Sequence, residues 1–153
     1  MEKEVTLEEI FRHWEDDSKI NESALDRESL KIPQLHSKYF KIFSAERLRL
    51  KEMQGKHKQL LLNKSEFLTQ GPTEEQHKMG WQLPARGALG KGMILKTEVE
   101  KYLDADQMII DSNLKIAYQQ EKVSLLESII DNLNRRSFVI KNAIEFIRWT
   151  QGG

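Results

Sequence analysis

Eight basic side chains fall between residues 38 and 64: Lys38, Lys41, Arg47, Arg49, Lys51, Lys56, Lys58 and Lys64. Aromatic residues stand at both ends of the run, Tyr39 and Phe40 at one and Phe67 at the other. Ammonium and guanidinium groups neutralise phosphates and displace their counterions, and aromatic rings stack on unpaired bases. This mixture therefore suits polyanion binding, although the same lysines would serve equally well as a solvated helix face. Tyr39, Phe43 and Phe67 have the spacing of core residues. A second set, Lys78, Trp81, Arg86, Lys91 and Lys96, lies in a glycine-rich stretch, where Trp81 suits either a nucleic-acid contact or hydrophobic packing. The residues singled out for phosphate contact are Lys56, Lys58 and Lys64, followed by Arg86 and Lys91.

Other chemistry has little support. The histidines at 13, 36, 57 and 77 are scattered and match no metal-ligand spacing. There is no phosphate-binding G-x-x-x-x-G-K-[ST] loop, and Gly87-Ala88-Leu89-Gly90-Lys91-Gly92 has glycines at the wrong spacing for one. Cysteine is absent, which excludes disulfides and thiolate chemistry and fits a reducing cytosol. The expectation is a non-enzyme with no catalytic residue, no metal and no cofactor.

The chain has 153 residues, about one domain, with 24 basic and 24 acidic side chains. The zero net charge hides blocks: −5 over residues 1–35, +5 over 36–66, +2 over 67–96, −5 over 97–131 and +3 over 132–153. Local fields thus matter more than the overall charge. Only 39% of the residues are hydrophobic, which suggests elongated helices that hide surface against partners. The longest stretches free of charge are seven residues, far short of the roughly 18 a membrane helix needs. The polar N-terminus carries no apolar segment of a secretory signal.

The elements that must position these residues read as helices. Thr6-Leu7-Glu8-Glu9 has capping-box spacing and starts a short helix through Trp14, with Leu7, Ile10, Phe11 and Trp14 on one face. Asp16-Asp17-Ser18 stops it, and Asn21 caps a second short helix holding Leu25 and Leu30, which Ile32-Pro33 ends or kinks. One long helix is expected over 34–69, where the only glycine is Gly55. Residues 70–96 hold five of the eight glycines and two of the three prolines, the composition of a loop or hairpin. Thr97 to Thr150 lacks both residue types; Thr97-Glu98-Val99-Glu100 has capping-box spacing, and a break near Asp104 to Asp106 fits. The expected fold is mostly α: short N-terminal helices, then two long helices separated by a Gly/Pro-rich loop or hairpin. Two regions follow, 1–96 and 97–153.

In the second region Leu126, Ile129, Ile130, Leu133, Ile140, Ile144 and Ile147 hold a helical period, and Phe138 stands beside that stripe as a further interface candidate. A stripe of that length asks for more cover than one chain supplies, so these residues are expected to build a homo-oligomer interface. Arg135, Arg136, Lys141 and Arg148 near the end of the helix suit its dipole or intersubunit ion pairs.

Several short segments resemble the UvsY-type recombination mediators of T-even-like phages. Arg136-Ser137-Phe138-Val139-Ile140-Lys141 is similar to an R-x-F-x-I-K signature of that family. Lys96-Thr97-Glu98-Val99 followed by Leu103-Asp104-Ala105-Asp106 is similar to its K-[ST]-E-x…L-x-A-D segment, and Ser37-Lys38-Tyr39 to an S-K-aromatic step. Ile20-Asn21 with Leu25 and Glu28 matches the spacing of an N-terminal helix. The resemblance implies a non-enzymatic protein that loads a recombinase onto single-stranded DNA in recombination and repair. It implies as partners single-stranded DNA, the phage recombinase UvsX and the phage single-stranded-DNA-binding protein. It also implies a ring of six or seven subunits joined through the C-terminal region, in the cytoplasm of the infected host. The family's DNA-binding K-A-R-L segment falls on Leu62-Asn63-Lys64-Ser65, where Lys64 alone keeps a charge and Lys56 and Lys58 stand one to two turns earlier. The other reading is a helical oligomeric adaptor that binds only proteins. Salt-dependent binding of single-stranded DNA separates the two.

Overall fold

The computed structural model of the chain describes residues 3–84 and 93–152. Every regular element among them is helical: α1 (Leu7–Asp17), a 3-10 turn (Glu22–Ala24), α2 (Leu25–Gln70), α3 (Glu74–Lys78), α4 (Val99–Asp104) and α5 (Gln107–Thr150). No strand of a hairpin occurs in the described part of 70–96, and Arg86 and Lys91 lie outside the described residues.

The helix starts follow local hydrogen-bond chemistry. Thr6 Oγ1 accepts the Glu9 N–H at 3.1 Å while Glu9 Oε2 accepts the Thr6 N–H at 3.1 Å, so the expected capping box forms. Thr73 and Gln76 form a second one ahead of α3. Gly71 after α2 (φ +89°) and Gly80 after α3 (φ +82°) hold left-handed conformations that cost a side chain energy. The box expected at Thr97 does not form. The Glu98 N–H already bonds Leu95 O at 2.9 Å, so the chain turns before Thr97 can cap, and α4 starts at Val99 without a side-chain cap. The expected break near 104–106 is present. Asp106 Oδ1 accepts the Ile109 N–H at 3.1 Å and caps α5.

Pro33 does not end a helix. Asn21 caps only the 3-10 turn, and α2 runs unbroken from Leu25 through Pro33 to Gln70. A proline inside a helix costs about 3 kcal/mol. Leu25 is buried before it, and Leu35 and Tyr39 pack into the core after it. Burial of such side chains is worth about 1.5–3 kcal/mol each, enough to carry the helix across.

Packing divides the chain into two units, Met1–Arg49 with Tyr118–Gly153, and Leu50–Ala117. The physical reason is that stretches of the long helices find partners distant in sequence rather than neighbours along the chain. In the first unit Ile10, Tyr39, Leu126, Ile129, Ile130 and Leu133 form one core, with Trp14, Leu35, Ile42 and Phe43 packed around it. Trp14 meets Tyr39 edge to face, ring centres 5.6 Å apart. Phe11, expected on the inner face of α1, is exposed.

This core corrects the reading of the C-terminal stripe. Leu126, Ile130 and Leu133 are covered by α1 and α2 of the same chain, and Ile140 is buried as well. α1 supplies the cover that the stripe was expected to take from another subunit. Ile144 is half-buried, whereas Phe138 and Ile147 are exposed together with Phe146 and Trp149.

Arg136 also acts across the chain rather than on its own helix. Its guanidinium donates to Asp17 O at 3.0 Å and Ser18 O at 3.1 Å, and it lies 5.3 Å from the Trp14 ring centre. A fixed cation thereby meets the last carbonyls of α1, where the helix dipole is negative. Elsewhere in the first unit, Glu46, Gln119 and Lys122 are buried polar groups. Gln119 Nε2 donates to Glu46 O at 2.9 Å and Oε2 at 2.7 Å, Arg49 binds Glu46 Oε1 at 2.7 Å, and Lys122 reaches Glu46 at 3.5 Å and Glu4 at 3.1 Å. Among the described residues no buried side-chain polar atom lacks a partner.

The second unit has a smaller core of Phe67, Leu68, Ile94 and Val99, flanked by Trp81, Leu83, Tyr102 and Leu103. Trp81 packs edge-on against Phe67 at 5.3 Å, in keeping with a packing role. His57 Nδ1 and Ser112 Oγ lie 2.8 Å apart in the same unit.

Candidate nucleic-acid interface

Of the three lysines singled out on α2, the structure separates one from the other two. Lys56 and Lys58 are exposed, Lys56 with a surface pair to Glu52 at 3.1 Å. Such an exposed pair is worth little and yields readily to a phosphate. Lys64 is only 7% exposed. Its Nζ lies 3.1 Å from the Asp106 carboxylate and 4.0 Å from the centre of the Trp81 ring. That lysine serves as a structural cation in this fold, its charge answered by Asp106 and not turned to solvent. Helical phase places it inside, because Lys64 shares the face of Leu60, Phe67 and Leu68.

Lys51 joins Lys58 on the solvent side: with Gln54 between them, at steps of three and four residues, the three share one helix face, and all are exposed. Lys78 and Lys96 are exposed as well, on α3 and in the turn before α4.

The first unit carries a separate cationic groove of about 290 Å³. Lys38, Lys41, Ala45 and Arg49 line it from one side of α2 at three- and four-residue steps, and Lys3 enters from the N-terminal arm. Val5, Ile42 and Ala45 give an apolar floor, and Glu46 is the one carboxylate in the lining. Lys38 binds Asp17 at 2.7 Å. Tyr39 donates to the same carboxylate oxygen at 2.7 Å. Burial raises the Asp17 pKa, but the hydrogen bonds from Lys38 and Tyr39 outweigh it, so the carboxyl stays below its ordinary range. Tyr39 is pushed far upward, first by burial and then by its bond to Asp17. The Glu4 carboxyl is lowered by its hydrogen bond from Lys122. Lys3 was not among the residues read as candidates. It sits in an acidic block 35 residues from Lys38, and no local pattern marks it.

An apolar surface occupies the end of α5. Phe138 is 66% and Trp149 78% exposed, and Phe146 stands 6.4 Å from Trp149, ring centre to ring centre. Among the described residues no cluster of His, Asp or Glu is arranged to hold a metal ion. No helix there is long and apolar enough to cross a membrane.

The sequence model of the family described as "Recombination, repair and ssDNA binding protein UvsY" matches residues 13–153. No curated protein matches the chain. Among solved structures, the fold is similar to that of the recombination mediator protein UvsY of bacteriophage T4, with a TM-score of 0.73 at 18% identity, covering 98% of this chain and 100% of that one.

Proposed function

Because the chain belongs to the UvsY family of recombination, repair and single-stranded-DNA-binding proteins, we propose that it is a recombination mediator. In this reading it binds single-stranded DNA and loads the phage recombinase UvsX onto strands coated by the phage single-stranded-DNA-binding protein. The observation that carries the proposal is the family match over residues 13–153.

The exposed cations support it. Lys56 and Lys58 are the phosphate contacts on α2, with Lys51 beside Lys58, and the groove cations Lys3, Lys38, Lys41 and Arg49 form a second set. Arg86 and Lys91 are proposed from sequence alone. Each contact is weak and releasable, which lets the strand be handed on. A ring-like homo-oligomer of six or seven subunits multiplies such contacts through effective concentration. Its interface is assigned to the open end of α5: Phe138, Ile144 and Ile147, extended by Phe146 and Trp149. The acidic blocks at 1–35 and 97–131 repel the strand and leave surface for basic patches on protein partners. The chemistry is binding and remodelling without catalysis, and ATP hydrolysis belongs to the recombinase, in the cytoplasm of the infected host.

The test is recombinase ATPase activity on single strands coated beforehand with the binding protein. Adding this protein shortens the lag. An unchanged lag, alongside intact binding to the bare strand, would favour a DNA-binding protein that is not a mediator.

A further inference from the structure

Along α2, His36, Phe40, Phe43 and Arg47 follow one another at steps of four, three and four residues, which keeps them on one helix face. Their planes touch in sequence. His36 stacks on Phe40 with centres 5.8 Å apart and an 11° interplanar angle. Phe40 lies 6.1 Å from Phe43, and the Arg47 guanidinium 5.1 Å from the Phe43 ring centre. Phe43 has one side against the core, but Phe40 is 47% exposed and Arg47 is exposed. From His36 to Arg47 the row covers 12 residues, about 16 Å of helix.

We propose that this row is a stacking platform for the unpaired bases of single-stranded DNA, distinct from the phosphate contacts. The inference rests on the single-strand-binding reading above and adds to it which part of the nucleic acid the first unit holds. Three features select bases as the occupant rather than a second copy of the chain. Every member of the row presents a π plane, and none is aliphatic, whereas protein interfaces mix aromatic and aliphatic side chains. The row ends on a guanidinium, which stacks on a base and attracts its phosphate at once. In sequence, steps of four, three and four residues from Arg47 lead on to Lys51, Gln54 and Lys58, so two lysines follow where the aromatics stop. Stacking of this kind tolerates any base, in keeping with a mediator that must act on any sequence.

The experiment titrates the full-length protein with a fluorescent oligothymidylate and with an abasic strand of the same length, in wild type, Phe40→Ala and Phe40→Tyr. Wild type should bind the oligothymidylate about tenfold or more tightly than the abasic strand, the worth of roughly one stacked base. Phe40→Ala should lose that preference while keeping its affinity for the abasic strand and its salt slope, and Phe40→Tyr should restore it. Equal preference in wild type and Phe40→Ala overturns the platform while leaving strand binding intact. A Phe40→Ala protein whose native particle mass falls overturns it too, by making the row a subunit contact. Failure of wild type to bind either strand defeats the single-strand-binding reading itself, and the platform with it.

Discussion

Lys64 and Asp106 form a partly buried ion pair 3.1 Å apart, and the same Asp106 caps α5 through the Ile109 N–H. One carboxylate therefore neutralises a lysine on α2 and fixes the first turn of α5, with the Trp81 ring stacked against the ammonium. Removing the lysine leaves a carboxylate facing a ring and a void.

Lys64→Ala is accordingly a stability variant. Breaking a buried pair by deleting one partner costs about 3 kcal/mol or somewhat more. Urea unfolding should show that loss, while the salt dependence of single-strand binding stays as in wild type. A variant of unchanged stability and weakened DNA affinity would return Lys64 to the phosphate contacts.

Asp17 predicts an acid-sensitive N-terminal contact. Its folded pKa is lowered, so the contribution is complete above about pH 4 and is lost as pH falls through the lower folded value. Asp17→Asn should be less stable than wild type at neutral pH, with the gap closing in acid. Denaturation midpoints measured across the acid range check this, and parallel pH profiles for the two proteins would contradict it.

The two ends of the C-terminal stripe should respond oppositely to mutation. Leu133 is fully buried within the chain, so Leu133→Ala should cost about 2–5 kcal/mol of folding stability. Trp149→Lys and Phe138→Lys replace exposed side chains and should leave the fold within about 0.5 kcal/mol. Native mass spectrometry should nevertheless show smaller particles for these two. Wild-type mass in a folded Phe138→Lys, Trp149→Lys double variant would remove this surface from the interface.

What the sequence made legible was local. The capping box at Thr6, the end of the long helix near residue 70 and the break near residues 104–106 depend on a few adjacent residues, and each is readable from them. Pro33 does not end the helix as its local cost alone would suggest, because Leu25, Leu35 and Tyr39 bury enough surface to override that cost. The stripe from Leu126 to Leu133 showed that a partner was needed and not that α1 would be that partner. Arg136 reaches Asp17 across more than 100 residues, and Lys3 lines the same groove as Lys38 from more than 30 residues away, relations for which no periodicity exists. Lys64 differs from these cases. Its phase with Phe67 and Leu68 was visible, but its charge argued for the surface until Asp106 supplied a counter-ion.

The central claim is that exposed cations on this chain hold single-stranded DNA by its phosphates without regard to sequence. The most direct measurement is anisotropy of a labelled oligothymidylate across a salt series, for wild type and a Lys56→Ala, Lys58→Ala double variant. Wild type should lose affinity linearly on a log–log plot, by about 0.7 per phosphate neutralised, and the variant should show a flatter slope at unchanged particle mass. No binding by wild type, or binding indifferent to salt, would contradict the account and leave a helical adaptor that acts only on proteins.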